Sequence, residues 1–155
     1  MSDSSILGRA QQFLTVLRHC QVRGMQIHSA LPAGLTLRLP YSEQIIGNPE
    51  TGVIHGGALT TLMDTTCGIA TVCVLEEFEI CPTIDLRLDY MRSAAPHKDV
   101  FGFAECYRVT STIIFVRGYA YQDDPQEPIA HVVGTFMRMG KVLLPSNPAA
   151  SESKS

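Results

Sequence analysis

Two hydrophobic periods divide the chain. Ile6, Ala10, Phe13, Leu17 and Cys20 recur at helical spacing with Arg9, Gln12 and Arg18 between them. This predicts an amphipathic helix from the cap candidates Ser2-Asp-Ser-Ser to about Val22, ended by Gly24. Within 33–41, Leu35, Leu37 and Leu39 alternate strictly, the pattern of a half-buried strand. Residues 42–52, with Asn48-Pro49 and Thr51-Gly52, read as a loop. After a long apolar run, 82–92 alternates again, with Ile84, Leu86, Leu88 and Tyr90 on one face and Asp85, Arg87, Asp89 and Met91 on the other. The aromatic and β-branched stretches 100–109 and 113–122 flank Thr110-Ser-Thr as a hairpin, and 129–139 is a last strand. Past Gly140 the composition shifts to Pro, Ser, Ala and Lys, a tail expected to be disordered. The chain thus divides into one domain, 1–140, and a tail, 141–155.

A single long helix followed by a run of strands points to an α+β fold with an antiparallel sheet. A sheet curling around that helix would bury it on nearly all sides. The open strand edges would be closed by a dimer that extends the sheet.

The run 52–75 organises the rest, and its only charged side chain is Asp64. Leu59, Leu62, Met63, Ile69, Ala70 and Cys73 make one apolar face; Gly57, Thr60, Thr61, Asp64, Gly68 and Thr71 make a small-sided one. The small face would let other backbone approach closely. A buried carboxylate is costly unless it is hydrogen-bonded or has a task. Gly56-Gly57 at the entry frees the first-turn N–H groups where the helix dipole is positive. A carboxylate and an electrophilic helix end are the raw material of acyl-group chemistry. From the residues alone Asp64 is equally open to a structural role, and His55 to being a plain first-turn residue. The run is also long enough to span a membrane, but Asp64 near its centre, the threonines and the following Glu76-Glu77 argue against that.

With 155 residues, 45% hydrophobic and 17% charged, the chain has the makings of one globular domain. A net charge of -3 without a basic run argues against nucleic acid as the main partner. The first residues lack the basic-then-apolar order of a signal peptide, so a cytoplasmic location is expected. Five cysteines, none in a Cys-x-x-Cys pair, suit reduced buried side chains better than disulfides or a zinc site. Cys67, one turn after Asp64, is the only one near the chemistry, and the neighbouring carboxylate disfavours its thiolate.

His55-Gly-Gly-Ala-Leu-Thr-Thr-Leu-Met-Asp64, preceded by Asn48-Pro-Glu-Thr-Gly-Val-Ile54, resembles the signature of hotdog-fold acyl-CoA thioesterases of the phenylacetate-degradation (PaaI-like) type. The order of elements from about Leu35 to Met139 is similar too. The resemblance implies a hotdog fold, a homodimer or homotetramer, an acyl-CoA substrate, active sites built across the subunit interface, and neither metal nor cofactor. Asp64 then matches the acidic residue that activates water or attacks the thioester. Gly56 matches the position whose N–H points at the carbonyl, and His55 and Asn48 match polar positions near the carbonyl and sulfur. In some relatives that Asn stands one residue closer to the His, where this chain has Pro49. Thr83 falls where a Ser or Thr helps orient water.

Helical geometry separates Asp64 from His55 by about two and a half turns, on opposite sides of the helix. Asp64 of one subunit and the Gly56 amide of another would therefore meet at one carbonyl. Gly57, Thr61 and Arg92 complete the site as substrate-binding residues. Arg92 leads Arg87, Lys98, Arg117 and Arg138 as a partner for CoA phosphates, and Phe101, Phe103, Phe115, Tyr119 and Tyr121 are candidate pocket walls. Two rival functions are a non-catalytic acyl-CoA binder, which would be more stable without Asp64, and a hotdog hydratase or dehydratase, whose His and acidic residue stand in other sequence settings.

Overall fold

The computed structural model describes residues 3–141 apart from 33. The capping expected of Ser2, Asp3 and Ser4 and the tail from 142 onward lie outside the described residues and side chains.

The N-terminal helix is two helices. α1 (Asp3–Val16) buries Ile6 and Ala10, and α2 (Arg18–Val22) buries Cys20. Between them Leu17 leaves helical geometry, with φ −85° and ψ 86°. A single helix to Val22 is therefore not what forms. The break seats Cys20 against α3, its Sγ 3.5 Å from the Thr65 hydroxyl. Gly24, at φ +66°, ends α2, a conformation that glycine adopts without strain.

The chain then makes β1 (Gln26–Leu31), which the alternation of Leu35, Leu37 and Leu39 did not announce, and β2 (Gly34–Leu39). β1 escaped notice because its own pattern is weak: only Ala30 is buried, and its register slips between Ile27 and Ser29. The loop from 42 holds a short 3-10 turn and a small ribbon of β3 (Ile46–Asn48) and β4 (Val53–Ile54), which hands the chain to α3 (Gly56–Val74).

β5 (Thr83–Tyr90), β6 (Val100–Val109), β7 (Ile113–Tyr121) and β8 (Ala130–Met137) follow. With β1 and β2 they form a six-stranded sheet in the order β1-β2-β6-β7-β8-β5. Every pair in it is antiparallel. α3 touches each of its strands. The strand alternation explains the packing: Val100 and Ala104, Ile114 and Val116, and Val132 and Phe136 are buried on the inner face with Leu35, Leu37 and Leu39. The α+β hotdog architecture expected from the sequence is the one that forms. α3 has the length and mean hydropathy of a membrane span, 19 residues at 1.3, because it is the core helix; Leu62, Met63, Cys67 and Ile69 are fully buried.

Three expectations are corrected. Close backbone approach occurs on the apolar face of α3, where a Cβ on Gly102 of β6 would come 2.9 Å from both Met63 Sδ and Thr66 Oγ1. The small-sided face instead opens into clefts, and a Cβ on Gly68 would meet only the Phe136 ring, at 3.8 Å. The strand aromatics, second, lie half-buried on the sheet face turned away from α3, with Phe101 stacked on Tyr121 at 5.5 Å and Phe103 against Tyr119 at 5.2 Å. None of them lines the cleft around Asp64. Third, β5 is an edge strand, so its apolar alternation is only partly covered: Leu86 and Leu88 are half-buried while Ile84 and Tyr90 are exposed.

Candidate active site

Asp64 sits just before the middle of α3 on the small-sided face and is only partly buried. Its Oδ1 accepts a hydrogen bond from Thr83 Oγ1 at 2.8 Å. That bond links the core helix to the start of the edge strand and orients the carboxylate, leaving Oδ2 outside it. A charge-assisted bond of this kind is stronger than a neutral one. Both residues line a cleft of about 590 Å³ with Thr60, Thr61 and Gly68 of α3 and apolar side chains of α1, α2 and β5.

His55 is the N-cap of α3, with φ −66° and ψ 134°. Its Nδ1 accepts the Gly57 N–H at 2.9 Å, a role usually filled by Ser, Thr, Asp or Asn. A nitrogen that accepts carries no proton, so the neutral ring holds its proton on Nε2, which remains as a donor. Because His55 is outside the helix, the helical wheel does not set its side-chain direction. It lines a second cleft, of about 310 Å³, with Gly57, Ala58, Arg23 and Gln44. That cleft shares Thr61 and His19 with the Asp64 cleft, so His55 and Asp64 face neighbouring spaces rather than opposite sides.

Two first-turn donors of α3 have partners. The Gly57 N–H goes to the imidazole, and the Ala58 N–H goes to His55 O at 2.9 Å. Gly57 is thus a space-maker, since a Cβ there would lie 2.9 Å from Nδ1. Gly56 is the first helical residue, and its N–H has no intrahelical acceptor. Gly56 lines a third cleft, of about 300 Å³, with Leu59, Tyr90 and Arg92. The Tyr90 hydroxyl reaches Gly56 O at 3.0 Å and Thr60 Oγ1 at 2.6 Å, tying the first turn to the end of β5. Periodicity marked Tyr90 as a strand residue and gave no signal of this contact.

Asn48 is not brought to Asp64 within the chain. It lies exposed at the end of β3, where its Oδ1 accepts the Glu50 N–H at 2.9 Å in a local turn. Thr61 Oγ1 bonds back to Gly57 O at 2.9 Å and faces both the His55 and Asp64 clefts. Among the basic candidates, Arg87, Arg117 and Arg138 are ion-paired with Asp89, Glu105 and Glu79 at 3.0, 2.7 and 2.5 Å, and Lys98 with Asp123. Arg92 is in none of these pairs and donates to the Glu127 carbonyl. Sequence reasoning overlooked the N-terminal arm as a site element. Phe13, Leu17 and His19 line the Asp64 cleft, a role that helical spacing could not distinguish from ordinary packing.

Cys67 is fully buried, and burial followed by the Asp64 charge pushes its thiol far above the usual range. It is no nucleophile. Among the described residues no group of three or more His, Cys, Asp and Glu side chains is placed to hold a metal ion.

Comparison with known proteins agrees with this geometry. Residues 51–129, from the turn before α3 to the start of the last strand, match the Thioesterase superfamily. The chain is 72% identical to a Pseudomonas aeruginosa protein of known crystal structure, covering 86% of this chain and 99% of that one with a TM-score of 0.81. The PaaI protein of E. coli, from the phenylacetic acid degradation operon, shares the fold at 15% identity, covering 90% and 97% of the two chains with a TM-score of 0.79. A Halobacterium salinarum protein that bears an esterase name is 34% identical over 93 residues, which are 58% of this chain and 60% of that relative's length. The resemblance carried by His55-Gly-Gly and Asp64 is therefore borne out, and this chain belongs to the thioesterase superfamily of hotdog proteins.

Proposed function

We propose that the protein hydrolyses an acyl-CoA thioester to the free acid and CoA, with Asp64 as general base or nucleophile. The observation that carries this reading is the Asp64 carboxylate, held by Thr83 at 2.8 Å, facing a cleft on a helix whose first N–H has no acceptor within the helix. A mere binding protein would gain stability from an apolar residue in that place.

A thioester carbonyl has weak resonance stabilisation, so it needs polarising while a water needs deprotonating. As base, Asp64 takes a proton from water and the hydroxide adds to the carbonyl carbon. The tetrahedral oxyanion is held by the Gly56 N–H, a preformed donor of the kind worth about 3 kcal/mol in the transition state. The C–S bond then breaks, and the CoA thiolate recovers the proton from Asp64. As nucleophile, Asp64 displaces the CoA thiolate to form an anhydride, which water opens. The Nε2–H of His55 and the amide of Asn48 stand as donors for the carbonyl and the leaving sulfur, and Arg92 for a CoA phosphate.

The working unit in this reading is a homodimer, with a homotetramer as its natural multiple. Two observations support it. Asp64 and Gly56 line different clefts of one chain, and β5, which carries Thr83 and Tyr90, is an open sheet edge. A second copy added at that edge would bring its own Gly56 towards Asp64.

The test is thiol release from a panel of acyl-CoAs by the wild type and Asp64→Asn, with sedimentation of both. Turnover that falls by about a thousandfold in a folded, dimeric mutant is the expected result. Full activity in Asp64→Asn would refute the catalytic assignment, and a monomeric active enzyme would refute the shared site.

A further inference from the structure

The cleft beside Asp64 has polar and apolar walls. Asp64, Thr83 and the α3 threonines are polar, as are the exposed Arg18 and His19 of the N-terminal arm; Phe13, Val16 and Leu17 of the arm, with Pro82, Leu86 and Phe136, are apolar. At about 590 Å³ it is within the range of small-ligand pockets, which are mostly apolar with a few placed polar groups. The neighbouring His55 cleft is smaller and carries Arg23, Gln44 and His19. An acyl group whose carbonyl carbon reaches Asp64 has the apolar cleft as its natural continuation.

The arm is anchored on both sides of this cleft. Arg9 donates to the carbonyls of Leu75 and Glu76 at 3.0 and 3.2 Å, past the far end of α3, and Phe13 meets Phe78 edge-on at 5.6 Å. Beyond the break, Cys20 is fixed at Thr65. The break at Leu17 falls between these anchors, where the arm crosses the cleft. Val16 is 45% exposed despite being apolar, and it lines the opening rather than the core. The basic lining residues of the arm, Arg18 and His19, are themselves exposed, so a charged acyl terminus would find no buried partner among them.

We propose, building on the thioesterase reading above, that the arm formed by α1 and α2 is the wall of the acyl site and that Phe13, Val16 and Leu17 set which acyl groups are accepted. The substrates are uncharged apolar acyl thioesters. Their specificity rises with each buried methylene, roughly fourfold per CH₂, until the cleft is full.

The test follows acyl length in two readouts. Turnover is measured on saturated acyl-CoAs from acetyl to palmitoyl, together with benzoyl- and glutaryl-CoA. Binding is measured by calorimetry on the non-hydrolysable alkyl-CoA thioethers. Both are run on the wild type, Phe13→Ala, which widens the cleft, and Val16→Trp, which narrows it. The expected result is an optimum that moves to longer chains in Phe13→Ala and to shorter ones in Val16→Trp, with hexanoyl preferred over glutaryl by at least tenfold. Because Val16 is exposed, its replacement decides the matter should Phe13→Ala fail to fold. A wild type that turns over substrate with an optimum unmoved by the variants would overturn the arm's role and leave the thioesterase standing. A glutaryl preference would overturn the apolar class. Length-dependent thioether binding that the variants shift, without turnover of any substrate, would uphold the acyl site and sink the hydrolase.

Discussion

Thr83 Oγ1 donates to Asp64 Oδ1 at 2.8 Å, joining the middle of the core helix to the first residue of the edge strand. The bond orders one carboxylate oxygen while the other stays outside it. Thr83→Val keeps the shape and removes the donor. Hydrogen bonds to charged groups contribute about 1.5–3 kcal/mol, so kcat is expected to fall between tenfold and a hundredfold with KM little changed. Steady-state kinetics on one good substrate checks this, and an unchanged kcat would show that the bond has no part in orienting the base.

Tyr90 closes the first turn of α3 through Gly56 O at 3.0 Å and Thr60 Oγ1 at 2.6 Å. The carbonyl and the N–H of Gly56 belong to adjoining peptide units, so holding one steadies the other. Tyr90→Phe is expected to lower kcat severalfold, leave thermal stability within about 1 kcal/mol, and speed amide exchange at the start of α3. Exchange that stays at the wild-type rate would argue that the first turn is fixed by the His55 cap alone.

Two glycines make opposite stability predictions. Gly102→Ala puts a methyl group 2.9 Å from Met63 Sδ and Thr66 Oγ1, and overpacking of this kind costs about 2 kcal/mol. Gly68→Ala lies inside α3 with its nearest neighbour, the Phe136 ring, at 3.8 Å, so it should gain about 0.8 kcal/mol from helix propensity. Urea denaturation of both variants is the check. A destabilised Gly68→Ala would mean that the small-sided face meets backbone that the single chain does not contain.

Glu79 is buried at 6% exposure and paired with Arg138 at 2.5 Å, and the same guanidinium reaches Thr110 O at 2.9 Å. The Arg138 hydrogen bond holds the Glu79 carboxyl below its ordinary range against the opposing effect of burial. A lowered folded pKa gives stability that is full above the unfolded value and is lost as pH falls through the folded one. Arg138→Met should therefore cost about 2 kcal/mol at neutral pH, a gap that narrows as acid protonates Glu79. Chemical denaturation at several pH values would show it; a gap independent of pH would assign the loss to the Thr110 contact instead.

Some of this architecture was written plainly in the chain. Leu35, Leu37 and Leu39, the alternation of β5 to β8 and the broad apolar face of α3 each follow from a repeat a few residues long, which backbone geometry converts directly into a buried face. The lone carboxylate at Asp64 and the glycines after His55 were legible for the same local reason. The weak pattern of Gln26–Leu31 became a strand only because β2 was there to pair with it. Phe13 and Leu17, spaced like core residues, proved to stand at a cleft.

What the tertiary structure alone decided are relations between distant parts. Asp64 meets Thr83 across a separation of 19 residues, and Tyr90 meets Gly56 across 34. His55 escapes its helical-wheel direction by serving as a cap, Arg117 is claimed by Glu105, which lies opposite it in the register of β6 and β7, and Arg138 is claimed by Glu79 from 59 residues away. Periodicity states which side of an element is buried. It does not state which residue of another element lies opposite, because that depends on register, on how far along the helix each strand crosses, and on where a helix breaks. The sequence by itself determined the elements, their buried faces and the one carboxylate in the core helix; packing determined what that carboxylate faces.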